Sequence, residues 1–383
     1  MKTSAARWAL AALCVGGAGC EGGADAVDGA VAPVDGAVDG AADAIAEDAA
    51  VLDGSAADGG GDAAVDAVIP DAGADAAVPD AAVDAGPDAE PDAGPDAAPD
   101  AGLPATACAS SYRAPQPTGE IEDPELAEVS GIAPSATRAG VLWMHTDSGG
   151  APRLYAVDTG GAVRGSVRLP VENVDFEDLA AAACPDGSGP CLWLADTGDN
   201  RRERGRGWVY AIPEPVVVGV DVAALWRFGV TYPGGPVDVE ALAVAPDGQG
   251  FWLFEKLDGP VARVFASPGP LVDGSTVEVV EVAQLDAPGI NIANGRSITG
   301  ADLHPSGERL LIRVYTGSYE YRFGPGQGVA DIGGIAPVTV AFGPLSEPQG
   351  EAIAYDADGL GVWTVSEVAG DAAQPINHYD CRD

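Results

Sequence analysis

The chain reads as an all-β protein, most simply a β-propeller of five blades. Three observations predict this. Five self-similar units follow one another, with a period of about 45–60 residues. Each unit holds three or four apolar or alternating runs of strand length, many separated by Asp-Gly, Ser-Gly or Gly-Gly pairs of the kind hairpins require. Helical periodicity is nearly absent outside the first residues.

The units can be taken in order. The first starts at "EVSGIAPS" and continues through "VLWMHTDSGG", "RLYAVDT" and "AVRGSVRLP". The second starts at "VDFEDLA" and runs through "CLWLADTGDN" and "WVYAIPEP". The third is "VDVEALA", "FWLFEKLDG" and "ARVFASPGP". The fourth is "ITGADLHPSGE", "LLIRVYTGS" and "YEYRFGPG". The fifth is "PQGEAIAY", "VWTVSEVAG" and "INHYDCRD". Four-stranded units set radially make a propeller, with the first run of each unit innermost and lining the axial channel. A β-solenoid needs shorter repeats, and a sandwich has no need of five copies of one motif. The long stretch 211–236 leaves room for a sixth blade.

Composition divides the chain before the repeats begin. Of 383 residues, with a formal net charge of −40, residues 1–20 are apolar with Lys2 and Arg7 near the front. Residues 21–107 hold 21 acidic residues and no Lys or Arg, and consist almost wholly of Ala, Asp, Gly, Pro and Val. Residues 108–383 have the composition of a globular domain. The acidic balance argues against nucleic acid as a partner, because phosphate contacts need clustered Lys and Arg. The expected state is a monomer.

"MKTSAARWALAALCVGGAGC" has the basic front, short apolar middle and small residues of an export signal. Its apolar stretch is too short to span a membrane as a helix. "GAGC" resembles a bacterial lipobox, which implies lipidation of Cys20 and attachment to a membrane through that lipid. Glu21 follows it, which favours the outer membrane or cell surface; plain secretion is the alternative. Segment 21–107 is expected to be a disordered tether. Prolines interrupt its alanines every few residues, and like charges keep it extended, with a reach of roughly 50 Å.

The remaining cysteines suit an exported ring. Cys184 and Cys191 flank "PDGSGP", a hairpin turn, and a bridge there would staple it. Cys108 and Cys381 stand at the two ends of the domain, where a closed ring must bring its termini together.

Aligning the units puts Ser130, Glu177, Glu240, Thr299 and Glu351 in one column, at the start of each innermost strand. In a ring this column becomes a collar around the axis. Three carboxylates forced together repel, so some are protonated or a cation sits among them. Oxygen ligands of this kind suit calcium. The alternative is that each Glu caps a turn or bonds amides of its own blade. The second strand of each blade returns to the same face. This places His145, Asp147, Asp196, Asp199, Asn200, Glu255, Lys256, Arg313, Tyr315 and Glu367 around one rim. Ligands commonly bind at such a mouth.

The collar order Ser, Glu, Glu, Thr, Glu, carried by "VSGIA", "FEDLA", "VEALA", "ITGADLHP" and "GEAIAY", resembles that of calcium-dependent soluble apyrases. Those are five-bladed propellers with one calcium in the axial channel. The resemblance implies that Ser130, Glu177, Glu240, Thr299 and Glu351 surround calcium, directly or through water. "VDFEDLA" and "ADTGDN" are also similar to stretches of exported bacterial propellers of unassigned function. The acidic strand openings resemble lactonase-type propellers as well, which usually have six blades.

Two functions follow as expectations. One is a surface-tethered, calcium-stabilised propeller that binds a ligand or partner at its mouth. The other is a calcium-dependent hydrolase of phosphate esters or lactones (apyrase-, phytase- or lactonase-like). In that case Asp196 or Glu255 would position or deprotonate water, Arg313 or Lys256 would meet developing negative charge, and His145 would carry a proton. The basic run "NRRERGRG", 200–207, is a solvated loop or a steering patch for an anionic partner. No nucleophile elbow, phosphate-binding loop or dinucleotide fingerprint is present in the sequence.

Overall fold

A computed structural model describes residues 108, 111–256, 261–342, 347, 349–367 and 374–382. The predicted leader 1–20, with Cys20, and the predicted tether 21–107 lie outside the described residues.

Two short strands come first, β1 (Ser111–Tyr112) and β2 (Gln116–Ile121). Blade one is β3 (Val129–Pro134), β4 (Val141–Thr146), β5 (Arg153–Asp158) and β6 (Val163–Arg168). Blade two is β7 (Phe176–Ala183), β8 (Pro190–Asp196), β9 (Gly207–Pro213) and β10 (Trp226–Thr231). Blade three is β11 (Val239–Val244), β12 (Phe251–Glu255), β13 (Ala262–Ala266) and, after the short β14 (Thr276–Glu278), β15 (Val280–Leu285). Blade four is β16 (Ile298–Leu303), β17 (Arg309–Val314), β18 (Gly317–Arg322) and β19 (Val338–Phe342). Blade five is β20 (Gln349–Tyr355), β21 (Gly361–Glu367) and β22 (Gln374–Arg382).

Within each blade, consecutive strands pair antiparallel. The innermost strands β3, β7, β11, β16 and β20 each touch the next, and β20 touches β3, so the ring closes on itself. The protein is therefore a five-bladed β-propeller. Stretch 211–236 does not form a sixth blade. Its strand β10 is the fourth strand of blade two, and β14 adds to its outer edge in parallel, tying blade two to the connection within blade three.

The core consists of five apolar layers, one between each pair of neighbouring blades. Trp193 and Phe228 of blade two pack against Leu242 and Phe251 of blade three. Phe254 and Val264 of blade three meet Leu310 and Ile312 of blade four. Trp143 and Leu154 of blade one meet Leu179 and Leu192 of blade two. Successive strand residues face opposite sides, so a blade packed on both faces needs apolar residues at every step. That is why the inner strands read as continuous runs, such as Val239–Val244, in which every residue is buried.

Ring closure has three parts. The outer edge of β22 is covered by β2 and β1, so the first strands of the domain complete its last blade. Cys108 and Cys381 form a disulfide across a sequence separation of 273 residues, with Cα atoms 5.4 Å apart. Beside it, buried Glu320 accepts hydrogen bonds from the hydroxyls of Tyr112 (2.7 Å) and Tyr355 (3.1 Å) and pairs with Arg309 and Arg322. The second bridge, Cys184–Cys191, staples the turn between β7 and β8 as the spacing predicts.

Candidate cation site at the channel mouth

The five collar residues share one backbone device. Along β3 the pairing with β4 runs Val129 to Thr146 and then Gly131 to His145, so Ser130 is left out. Glu177 is skipped in the same way between Phe176 and Asp178, and Glu240 between Val239 and Ala241. Thr299 is skipped between Ile298 and Gly300, and Glu351 between Gly350 and Ala352. Each is the extra residue of a β-bulge, which bends the strand and re-aims a side chain. Five bulges at one level set five polar residues at the starts of the inner strands, and four of their side chains turn toward the channel mouth.

Four of them, Ser130, Glu177, Glu240 and Glu351, border a cavity of about 220 Å3 at one end of the channel, and Thr299 does not line it. Ends of the second strands contribute Asp147, Asn200, Lys256, Tyr315 and Glu367, as the alignment of units predicts. Ser130 donates its hydroxyl hydrogen to the Glu177 carbonyl (2.8 Å), and Thr299 donates to the Gly350 carbonyl (2.7 Å). Both hydroxyls thus stitch one inner strand to the next. Glu351 and Glu367 share the side-chain amide of Gln349.

The carboxylates crowd on one side. Oxygens of Asp147, Asp175 and Glu177 lie within 4.8 Å of one another, and so do those of Glu177, Asp238 and Glu240. Glu177 belongs to both groups, is 5% exposed, and meets no hydrogen-bond donor among the described residues. Burial, and then the neighbouring Glu240, push its carboxyl well above the usual range. Burial raises Glu240 to about 8, against the pull of the Lys256 ammonium bonded to it. Burial and Asp147 bring Asp175 to about 6.

Asp175 and Asp238 were not among the sequence candidates. Each stands two residues before a collar glutamate, in "VDFE" and "VDVE". Residues two apart in an extended chain point to the same side, which is the signal that identifies them. Asp178 was also missed. Its buried carboxylate accepts hydrogen bonds from the amides of Leu179 (2.9 Å), Leu242 (2.7 Å) and Ala301 (3.0 Å). It thereby ties three inner strands together across the axis.

Several rim candidates lie elsewhere. His145 is fully buried beneath the collar, edge-on to Phe176, with ring centroids 5.8 Å apart. Burial lowers its pKa to about 4, and it does not line the cavity at the mouth. Gly131 makes room for it: a Cβ there would stand 2.2 Å from Nε2. Arg313 is buried between blades four and five, bonded to Glu347 at 2.5 Å and Ser318 at 2.9 Å, and does not face the cavity. Glu255 is held by Arg263 at 2.8 and 2.9 Å and by Arg202. Asp196 is held by Arg204 at 2.9 Å and by the Asp175 amide. Asp199 caps its own loop, accepting from the amides of Glu203 and Arg204. Within the basic run 200–207, Arg202 and Arg204 are held in these contacts and Arg206 lies 4.2 Å over the Trp208 ring, while Arg201 and Arg206 are exposed.

No protein-family model and no curated protein matches this chain. Similar solved structures include Kuenenia stuttgartiensis hydrazine synthase, at 14% identity and a TM-score of 0.35, covering 65% of this chain and 95% of that one. A chain of the mitotic checkpoint complex is 13% identical with a TM-score of 0.33, covering 66% of this chain and 63% of its own. Likenesses at this level carry no argument about activity. The propeller rests on the strand order and the closed ring of inner strands.

Proposed function

We propose that the domain is a calcium-stabilised binding propeller whose ligand sits at the channel mouth, displayed on a lipid-anchored tether that runs from Cys20 through residue 107. The observation that carries the cation is Glu177. It is a buried carboxylate with no hydrogen-bond donor among the described residues, set among Asp147, Asp175, Asp238 and Glu240. A carboxylate in that position is costly unless it is protonated or a cation joins it. Oxygen donors alone, several of them charged, match the preference of calcium for six to eight oxygens. Glu177, Glu240, Asp147, Asp175 and Asp238 would hold the ion. Ser130 and Glu351 complete the lining around it.

Binding is favoured over hydrolysis by the placement of the proposed catalytic groups. Asp196 and Glu255 are already committed to arginines, and His145 and Arg313 are buried away from the cavity. Among the described residues that line the cavity, Lys256 is the one cationic side chain an anionic ligand would meet beside the bound cation.

Chelation tests the reading. Removing divalent ions from the full-length protein is expected to lower its melting temperature, and calcium to restore it. A ligand of the native state at about 100 times its Kd contributes about 2.7 kcal/mol, worth roughly 5–10 °C for a domain of this size. Glu240→Gln is expected to shrink the response. An identical melt with and without complete metal removal would overturn it. Calcium-dependent turnover of a phosphate ester or lactone would replace binding with hydrolysis.

A further inference from the structure

The chain has 19 basic residues, and only two of them are lysines: Lys2, at the extreme N-terminus, and Lys256. The propeller otherwise neutralises its carboxylates with arginine, as in Arg204–Asp196, Arg263–Glu255, Arg309–Glu320 and Arg313–Glu347. Its one lysine stands at the collar, just past the end of β12, with its backbone amide donating to Asp238 O at 3.0 Å. Its ammonium bonds Glu240 and lies 5.9 Å from the centre of the Tyr315 ring. It is the single cation bordering the mouth among the described residues, facing Glu128, Asp147, Glu177, Glu240, Glu351 and Glu367.

The two basic side chains differ in the way that matters here. Arginine offers a planar fork that suits a fixed bidentate pair. Lysine carries a compact, strongly hydrated point charge on a flexible stem. It is the side chain that most nearly imitates a small ion and that swings most readily out of the way. The Lys256 side chain is 22% exposed, so a path to solvent exists for it, whereas that of Glu240 is 5% exposed.

We propose that Lys256 is the resident counter-ion of the collar: its ammonium holds the position of a cation beside Glu240, and a divalent ion binds by displacing it. This rests on the reading of the mouth as a cation site and adds its regulation. In the metal-free protein Lys256 offsets the repulsion among the carboxylates. In the loaded protein it is released toward the rim, where it is free to meet a ligand. Metal affinity is therefore set by competition between two cations, one of them tethered.

The test combines a variant with a measurement on the unaltered chain. In full-length Lys256→Gln, calcium affinity measured by isothermal titration is expected to rise about tenfold or more, within the usual range of coupling between two ligands. The metal-free melting temperature of the same variant is expected to fall. These opposite signs separate a competing counter-ion from a merely structural lysine, whose loss would weaken both states. In the wild-type protein, saturating calcium is expected to speed acetylation of Lys256 several-fold, read by mass spectrometry against the same protein held in chelator. This arm stands even if the variant fails to fold. Calcium binding of equal or lower affinity in Lys256→Gln, or acetylation indifferent to calcium, would overturn the proposal and leave the collar site intact. Calcium binding by neither protein would overturn the collar site and this inference with it.

Discussion

At the scale of single residues, the mouth is a problem of charge. Burial raises Glu240 to about 8 and Asp175 to about 6, and lifts Glu177 and Glu351 well above the carboxylate range. Asp302, near the far end of the inner strands, is raised by burial to about 7. A carboxyl whose pKa rises on folding binds its proton more tightly folded than unfolded. Its contribution to stability is complete below the unfolded value and is lost as pH rises through the folded one. The metal-free protein is therefore expected to lose stability between about pH 5 and pH 8, the span from the usual carboxylate value to that of Glu240. Thermal melts with chelator across this range check it, and saturating calcium should flatten the decline. A metal-free melting temperature that rises over the same range would contradict these shifts. Residue identity was legible in sequence and partnership was not. The collar glutamates announced themselves by spacing. That Arg313 belongs to Glu347 and Glu255 to Arg263 depends on distances between strands, which spacing does not contain.

At the scale of elements, the repeated bulge and the axial aspartate position the site. Asp178 accepts from amides on β7, β11 and β16, all at the centre of the ring. Replacing it with alanine leaves three buried amides without an acceptor, at about 1–3 kcal/mol each. Asp178→Ala is expected to lower the melting temperature by roughly 10 °C or more, measured by calorimetry. A change of under about 2 °C would show that these bonds are not what holds the inner strands together. The strands themselves were legible, because both faces of each blade are buried and turn residues mark the hairpins. The bulges were not, since a skipped residue leaves no mark in an apolar run such as "VEALAV". Nor was β10, since "WRFGVT" lies far from its partner in the chain and pairs with β9 after a long loop. That distance is what made stretch 211–236 look spacious enough for another blade.

At the scale of the whole molecule, the ring explains why three acidic strand openings occur in one chain. Each sits harmlessly at the end of its own blade until closure brings Glu177, Glu240 and Glu351 to a common mouth. Closure is secured by β1 and β2 on β22 and by Cys108–Cys381, a seam legible in sequence because a ring must join its termini. The acidic segment 21–107 complicates any study of cations, because its 21 carboxylates will attract calcium loosely. The most direct measurement is therefore equilibrium dialysis of radioactive calcium against the full-length wild-type protein and Glu177→Gln in parallel. The prediction is one saturable ion per wild-type chain, absent from Glu177→Gln, above a weak unsaturable background common to both. Equal binding by the two proteins, or background alone in each, would contradict a cation site at the channel mouth.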